Sequence, residues 1–384
     1  MLLIRGRLWL GTMVVEGPYS AVATFCVVSA VLTAAVCCFA RLFGERTQLI
    51  AHPDGDRRLH DLDTPLIGGL AVLVPTFVVA LVYMIFHKHE FYIQVAIIAS
   101  VFMLIVGVLD DRLGVSPLWR MLALVFVSFV VFSLEPIFVL HSLHLWILHI
   151  NWVVPLDPVA APITALMIVG FVNAANMADG MNGQLLGSLV IWSAFIIAHL
   201  GFDAAVPFVM LICSTAVALV FNLRGKLFSG SAGAYAASLF VALGAIVAYR
   251  RSGAMLYAQT PAFWFWLPVL DCLRLFIFRM MQGRSPFAGD RNHFHHMLLD
   301  FLRARYALAI YLALLCLPGL LAEFGEHWGK IGLVACTAVY AVIVAWRVIR
   351  RNQASVRSGA EHSLQLFGSI DPTARTTTLV GPAE

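Results

Sequence analysis

Charge is the first thing this sequence lacks. Lys, Arg, Asp and Glu together make up 12% of its 384 residues, while 61% are hydrophobic. The mean hydropathy is +0.89. Soluble globular chains carry roughly 25% charged residues, so a soluble enzyme is excluded. The net charge of +4 leaves no basic footprint for nucleic acid, and no nucleic-acid partner is expected. Cysteine is sparse and scattered: Cys26, Cys37, Cys38, Cys213, Cys272, Cys316 and Cys336 all lie in apolar stretches, and none forms a CxxC pair. That pattern predicts small hydrophobes, not a disulfide framework or a zinc site. Long polar stretches between the apolar runs are also missing, which leaves no place for a separate soluble domain. No internal repeat with polar residues near mid-membrane in both halves is present, which argues against a transporter.

What the chain does have is apolar runs long enough to span about 30 Å of hydrocarbon. They predict an all-α polytopic membrane protein with about eleven transmembrane helices, near 21–43, 66–86, 91–109, 118–140, 158–177, 184–200, 204–221, 232–249, 261–278, 307–322 and 331–348. Asn173 and Asn176 interrupt the fifth run, making it the weakest. Arg5 and Arg7 precede the first run, but no small-residue cleavage site follows it, so that span is expected to be retained. The expected organisation is an N-terminal segment 1–20, one integral-membrane domain 21–350, and a polar, disordered tail 351–384.

The loops sort by charge. Arg46, Arg57 and Arg58, then Arg112, then Arg224 and Lys226, then Arg279, Arg284, Arg291, Arg303 and Arg305 occupy alternate loops, and Arg347, Arg350 and Arg351 follow the last span. The intervening loops are poorer, with no Lys or Arg across 136–157. The positive-inside rule then predicts a periplasmic N-terminus and a cytoplasmic C-terminus; Arg5 and Arg7 count weakly against it. This parity places every polar motif on one face: "HPDGDRRLHDLDTPLIGG", "DDRLGVSP", "NAANMADGMNG", "FNLRGKLFSGSAGA" and "SPFAGDRNHFHHML".

Each motif allows a bland and a chemical reading. Asp110 and Asp111 are either a solvated helix end with Arg112 as partner, or a site for a hard cation or a phosphate. Asn173, Asn176 and Asp179, at three-residue steps, share a helical face or merely cap a span; Gly180 and Gly183 then break the helix and admit close backbone approach. Asp271 lies within a span and is either functional or one half of an ion pair with Arg274 or Arg279. His293 and His296 are spaced to share a helical face, with His295 pointing elsewhere. Zinc is one reading of this loop. Phosphate binding with Asp290 and Arg291 nearby is better supported, and an interfacial basic loop is the bland alternative. Arg57, Arg58 and His60 add positive charge to the same face. Carboxylates for a cation and cations for phosphate, gathered on one face, are what phosphoryl transfer requires.

These motifs resemble the polyprenyl-phosphate N-acetylhexosamine-1-phosphate transferases over residues 20–350. The likeness is closest to the branch that starts O-antigen, enterobacterial common antigen and teichoic acid synthesis. "RRLHDLDTPLIGG", Asp110–Asp111, "NAANMADGMNG", Asp271 through Arg279 and "SPFAGDRNHFHHML" carry it, the last most strongly. The resemblance implies transfer of a sugar 1-phosphate from a UDP-N-acetylhexosamine to undecaprenyl phosphate, with release of UMP, at the bacterial cytoplasmic (inner) membrane. It implies Mg²⁺ or Mn²⁺ as cofactor, and membrane lipid as surroundings. It implies catalytic roles for Asp110, Asp111, Asp179, His293, His295 and His296. Metal would be held by Asp110, Asp111, Asn173 and Asp179. Substrate contacts would come from Arg58, His60, Asn173, Asn176, Asn182, Asn222, Asp271, Arg279, Asp290 and Arg291. The oligomeric state is left open, a homodimer included.

The chain departs from the family pattern. Ser231 stands where the family usually has a metal-ligating Asp, the loop 222–231 is short, and Asp63 replaces a common proline. Asn182 stands where Asp or Asn occurs. A serine hydroxyl is a poor substitute for a carboxylate around Mg²⁺, so Ser231 supports a second reading: a homologue that binds polyprenyl phosphate or a partner protein without turnover.

Overall fold

The computed structural model describes residues 18–51, 63–87, 89–285 and 292–368. Apolar runs become helices here because a chain in hydrocarbon must satisfy its main-chain N–H and C=O groups within itself. Helix α1 (Pro18–Cys38) leads to a short α2 (Ala40–Thr47), and β1 (Ile50–Ala51) pairs antiparallel with β2 (Thr64–Pro65). Then come α3 (Gly68–Phe86), α4 (Phe91–Leu113) and α5 (Pro117–Leu134). An antiparallel hairpin of β3 (Ser142–Ile147) and β4 (Ile150–Pro155) precedes α6 (Ala160–Ala178). The rest is helical: α7 (Gln184–His199), α8 (Phe202–Leu223), α9 (Gly230–Arg251), α10 (Gln259–Met281), α11 (Phe294–Leu299), α12 (Ala304–Ala322) and α13 (Glu326–Gly368).

Among the described residues ten helices are long and apolar enough to cross a membrane. Every expected span lies within one of the apolar helices or overlaps it closely. The sixth, α7, is the exception in length: its 16 residues reach about 24 Å, short of a typical core. The expected eleven spans are thus corrected to ten full-length helices and one shorter apolar helix. The fifth, interrupted by asparagines in the sequence, is one unbroken helix, α6, because both asparagine side chains find partners. Helix α13 extends to Gly368, into the stretch expected as a disordered tail, and residues 369–384 of that stretch lie outside the described residues. Gln353, Ala354, Ala360, Leu364, Gln365 and Leu366 are good helix formers in this stretch.

Helix α9 is the hub. It is buried along almost its whole length and is packed by α3, α4, α6 and α7. Its first half, GSAGAYAAS, consists largely of small residues that let backbones approach. A Cβ on Gly69 would stand 2.2 Å from the Cα of Gly233, and one on Gly107 would stand 2.3 Å from the Cα of Ala232. These contacts draw α3 and α4 against the start of α9, where the polar motifs meet.

The chain divides at Leu333 into two units. The first holds all the elements just described as far as the start of α13. The second, from Val334, continues α13 and carries Arg350 with its guanidinium 3.9 Å from the centre of the Trp346 ring.

Candidate active site

The site grows from the N-terminus of α9. The first N–H groups of a helix have no partner within it. Here the carboxylate of Asp111, at the end of α4, accepts two of them: Ser231 N donates to Oδ1 at 2.8 Å and Ala232 N to Oδ2 at 3.1 Å. The helix dipole favours a negative charge at this place. Gly230 has φ +70°, and a Cβ there would meet Asp111 Oδ2 at 2.6 Å, so only glycine admits the carboxylate this close.

Asp110 faces a different set of groups. Arg120 of α5 donates to its Oδ2 at 2.7 Å, and the Tyr235 hydroxyl donates to the same oxygen at 3.4 Å. Asn176 of α6 donates to that hydroxyl at 3.1 Å. The partner expected for the acid pair, Arg112, instead donates to Gln48 Oε1 at 3.1 Å. The reason is direction: residues at the end of α4 fan around its axis, and Arg112 turns toward α2 while Asp110 turns toward α5 and α9.

Asp179 follows the end of α6. Its carboxylate is hydrogen-bonded by the main chain of Leu185 and the side chain of Ser229. Burial pushes its carboxyl up to about 7, with the charge of Asp111 adding to the rise and the two hydrogen bonds opposing it. Asp110 is therefore matched by an arginine, while Asp111 and Asp179 are held by neutral donors. This excess negative charge on oxygen ligands suits a hard divalent cation that brings water or phosphate as its remaining ligands. No three His, Cys, Asp or Glu side chains form a ready-made metal cage among the described residues.

The neighbouring asparagines divide. Asn173 donates to Val169 O at 2.8 Å within its own helix. Asn222 is a brace: it accepts from Gly183 N at 2.5 Å and donates to Leu227 O at 2.9 Å, tying the loop before α9 to the loop before α7. Asn182 is half-buried, its Nδ2 3.9 Å from where a Gly225 Cβ would be.

The histidine segment closes the site. Asp271 of α10 is buried and accepts from Arg274 at 2.8 Å, from His293 Nδ1 at 3.2 Å and from Phe294 N at 3.1 Å. Arg274 also donates to Asn292 O at 2.5 Å. The ion pair considered for Asp271 is thus made with Arg274; Arg279, on the same helix, is buried. Because Asp271 takes the first N–H of α11, the helix starts at Phe294 and His293 is left as an extended N-cap. This corrects the expected helical grouping of His293 with His296. The rings of His293 and His295 stack instead, with centroids 5.6 Å apart and planes 11° apart, and both residues are buried. His296 is half-buried, its ring centroid 4.2 Å from that of His295.

Gly180 joins the two halves. A Cβ on it would stand 1.9 Å from His295 Nε2, so the imidazole lies directly on the backbone beside Asp179. The structure thus gathers Asp110, Asp111, Asn176, Asp179, Asp271, His293 and His295 at one end of the bundle. Arg58, His60, Asp290 and Arg291 lie outside the described residues. Arg120, Tyr235 and Ser229 were not singled out in the sequence. Arg120 comes from a helix whose own pattern is plainly apolar, and Tyr235 and Ser229 are legible only once α9 is known to begin between them.

A family model described as Glycosyl transferase family 4 matches residues 93–249, which include Asp110, Asp111, Asp179 and the start of α9. The undecaprenyl-phosphate alpha-N-acetylglucosaminyl 1-phosphate transferase of Yersinia pestis is 25% identical over 315 residues, 77% of this chain and 84% of its own length. The protein of the same name from Escherichia coli (strain K12) is 25% identical over 345 residues, 81% and 88% of the two chains. A probable undecaprenyl-phosphate N-acetylglucosaminyl 1-phosphate transferase of Bacillus subtilis (strain 168) is 25% identical over 302 residues, 76% and 82%.

Proposed function

We propose that this multi-pass protein of the bacterial cytoplasmic membrane, similar over residues 93–249 to glycosyl transferase family 4, transfers N-acetylglucosamine 1-phosphate from UDP-N-acetylglucosamine to undecaprenyl phosphate. A phosphate oxygen of the lipid attacks the phosphorus that bears the sugar. The bond from that phosphorus to the oxygen on the uridine side breaks, and UMP leaves. The single observation that carries this reading is the convergence of Asp111, Asp179 and the stacked His293–His295 pair around Gly180. The site face is cytoplasmic by the loop charges, which puts the nucleotide donor on the side where it is soluble.

Asp111 and Asp179 are the residues that would hold Mg²⁺, whose charge neutralises the diphosphate when bound. The Asp271 carboxylate fixes the His293 ring through the 3.2 Å hydrogen bond to its Nδ1. His293 and His295 then present N–H donors to a phosphate oxygen of the donor. The lipid phosphate, with a second pKa near about 6, is already largely dianionic at neutral pH, so no base is required. Asp110, held by Arg120 and Tyr235, braces the acceptor side of the site. The product is expected to start an envelope polysaccharide of the O-antigen kind.

The test is a transfer assay in detergent with radiolabelled UDP-N-acetylglucosamine, undecaprenyl phosphate and Mg²⁺. Label that enters the organic phase and is lost with EDTA is the expected result. A second reading has one observation in its favour: Ser231 supplies no carboxylate where the family usually has one. Activity that appears only in Ser231→Asp would establish that reading. No transfer by either protein from a panel of UDP-N-acetylhexosamines would sink the transferase assignment.

A further inference from the structure

At the other end of the bundle from the candidate active site, β3 and β4 form a hairpin between α5 and α6. No Lys, Arg, Asp or Glu occurs from Pro136 to Leu156. Side chains alternate between the two faces of a strand. With the observed register, Leu143, Leu145 and Ile147 stand opposite Val154, Trp152 and Ile150, so one face is wholly apolar. That face is open: Ile150 is 55% exposed and Trp152 53%, and Leu148 at the tip is 84% exposed.

The other face makes the side-chain contacts that fix the hairpin. The Tyr257 hydroxyl donates to Asn151 Oδ1 at 2.8 Å, and the Lys330 ammonium lies 4.3 Å from the centre of the Trp146 ring. The outer edge of β3 is held as well: His144 N donates to the Tyr249 hydroxyl at 2.7 Å, Ala258 N donates to His144 O at 2.7 Å, and Trp146 N donates to Gln259 Oε1 at 3.0 Å. The hairpin is therefore a plate fixed in place, and β4 is exposed on both faces, with Val153 at 58%; the face of Leu143, Leu145, Ile147, Ile150, Trp152 and Val154 is the one that presents only apolar side chains.

We propose that this apolar face is a lipid-contact surface, seated in the headgroup and upper acyl layer of the leaflet where α5 ends and α6 begins. Three observations choose lipid as the occupant. Only residues 156–159 separate β4 from α6, and at 3.3–3.6 Å per residue that tether reaches less than about 20 Å, so the plate cannot leave the membrane boundary. The flanking chain continues the apolar exposure, with Leu134 at 55% and Val159 at 50%. The third observation sets the depth. Since His144 and Trp146 turn their main-chain groups away from β4, antiparallel alternation turns those of their partners Val153 and Asn151 to the open edge of the hairpin. Those groups need water or headgroup oxygens, which excludes the hydrocarbon core and selects the interface. Tryptophan, as at 152, is at home there.

The test does not depend on the transfer reaction. The full-length protein, in liposomes of phosphatidylethanolamine and phosphatidylglycerol, carries a benzophenone side chain in place of Trp152, in place of Ile150, or in place of Asn151 on the opposite face. After irradiation, adducts are identified by mass. Lipid adducts at 152 and 150, at least about tenfold more abundant than at 151, are expected. Cross-linked dimers would assign the face to a second copy of the chain and overturn the proposal. Absence of lipid adducts at both 152 and 150 in folded protein would overturn it equally, because the face would then look into water.

Discussion

The carboxylate of Asp111 accepts the main-chain N–H of Ser231 at 2.8 Å, so the acid at the end of α4 caps helix α9. The Ser231 hydroxyl also hydrogen-bonds that carboxylate. An aspartate at 231 would put a like charge in this contact. Ser231→Asp is expected to lower the melting temperature of the metal-free protein and to tighten Mg²⁺ binding about tenfold, the worth of roughly 1.4 kcal/mol from one added ligand. Thermal unfolding with and without Mg²⁺ reads both effects. Unchanged stability and affinity would show that residue 231 does not face the cation site.

Removing the charge at 111 separates chemistry from folding. Asparagine can still accept one of the two N–H groups, so Asp111→Asn should fold. Its transfer rate is expected to fall by at least about tenfold, the scale of a positioned charged group. Wild-type turnover in the folded variant would remove Asp111 from the site.

Gly180 offers a test of the histidine pair without touching a histidine. The Cβ of Gly180→Ala would overlap the His295 ring and push it aside. Both Gly180→Ala and His295→Ala should lose at least about tenfold in turnover, with the stacked geometry as the shared cause. Full activity in Gly180→Ala would mean that the ring position is unimportant.

The Asp110–Arg120 pair tests burial. Only 6% of the Asp110 side chain and 23% of that of Arg120 are exposed. Arg120→Ala leaves a buried carboxylate without its cation and should cost about 3 kcal/mol of stability. The double variant Arg120→Ala with Asp110→Asn should recover part of that loss, since both charges are then gone. Denaturation in detergent would check it; additive losses would show that the two do not interact.

Asp179 gives the pH dependence. Its carboxyl sits at about 7 in the folded protein against 3.8 for the ordinary value, so the folded state holds the proton more tightly. Its contribution to stability is fully present below about 4 and is lost as pH rises through about 7. Cation binding needs the carboxylate, so affinity should run the other way, falling toward about tenfold per pH unit below 7 for one linked proton. Titration calorimetry with Mn²⁺ in buffers of different ionisation enthalpy reads the proton released. Asp179→Asn should abolish both dependences, and a pH-independent affinity in the native protein would refute the assignment.

Much of this protein is legible in its sequence. Hydrocarbon leaves a chain few options, so hydropathy alone located the apolar helices, and loop parity alone placed Asp110, Asp179 and His295 on one face. Periodicity misled where a helix began or ended for tertiary reasons. His293 is spaced like a helical partner of His296, but Asp271, far away in sequence, captures Phe294 N–H and starts the helix one residue later. Arg112 adjoins the acid pair in sequence, yet Arg120 is the partner in space. The sequence determined which groups are present and the membrane face they share, because burial of apolar runs is a local property of composition. Only the tertiary structure decided which group pairs with which. Hydrogen bonds reach about 3 Å, and the crossing of α3 and α4 over the small residues of α9 sets those distances.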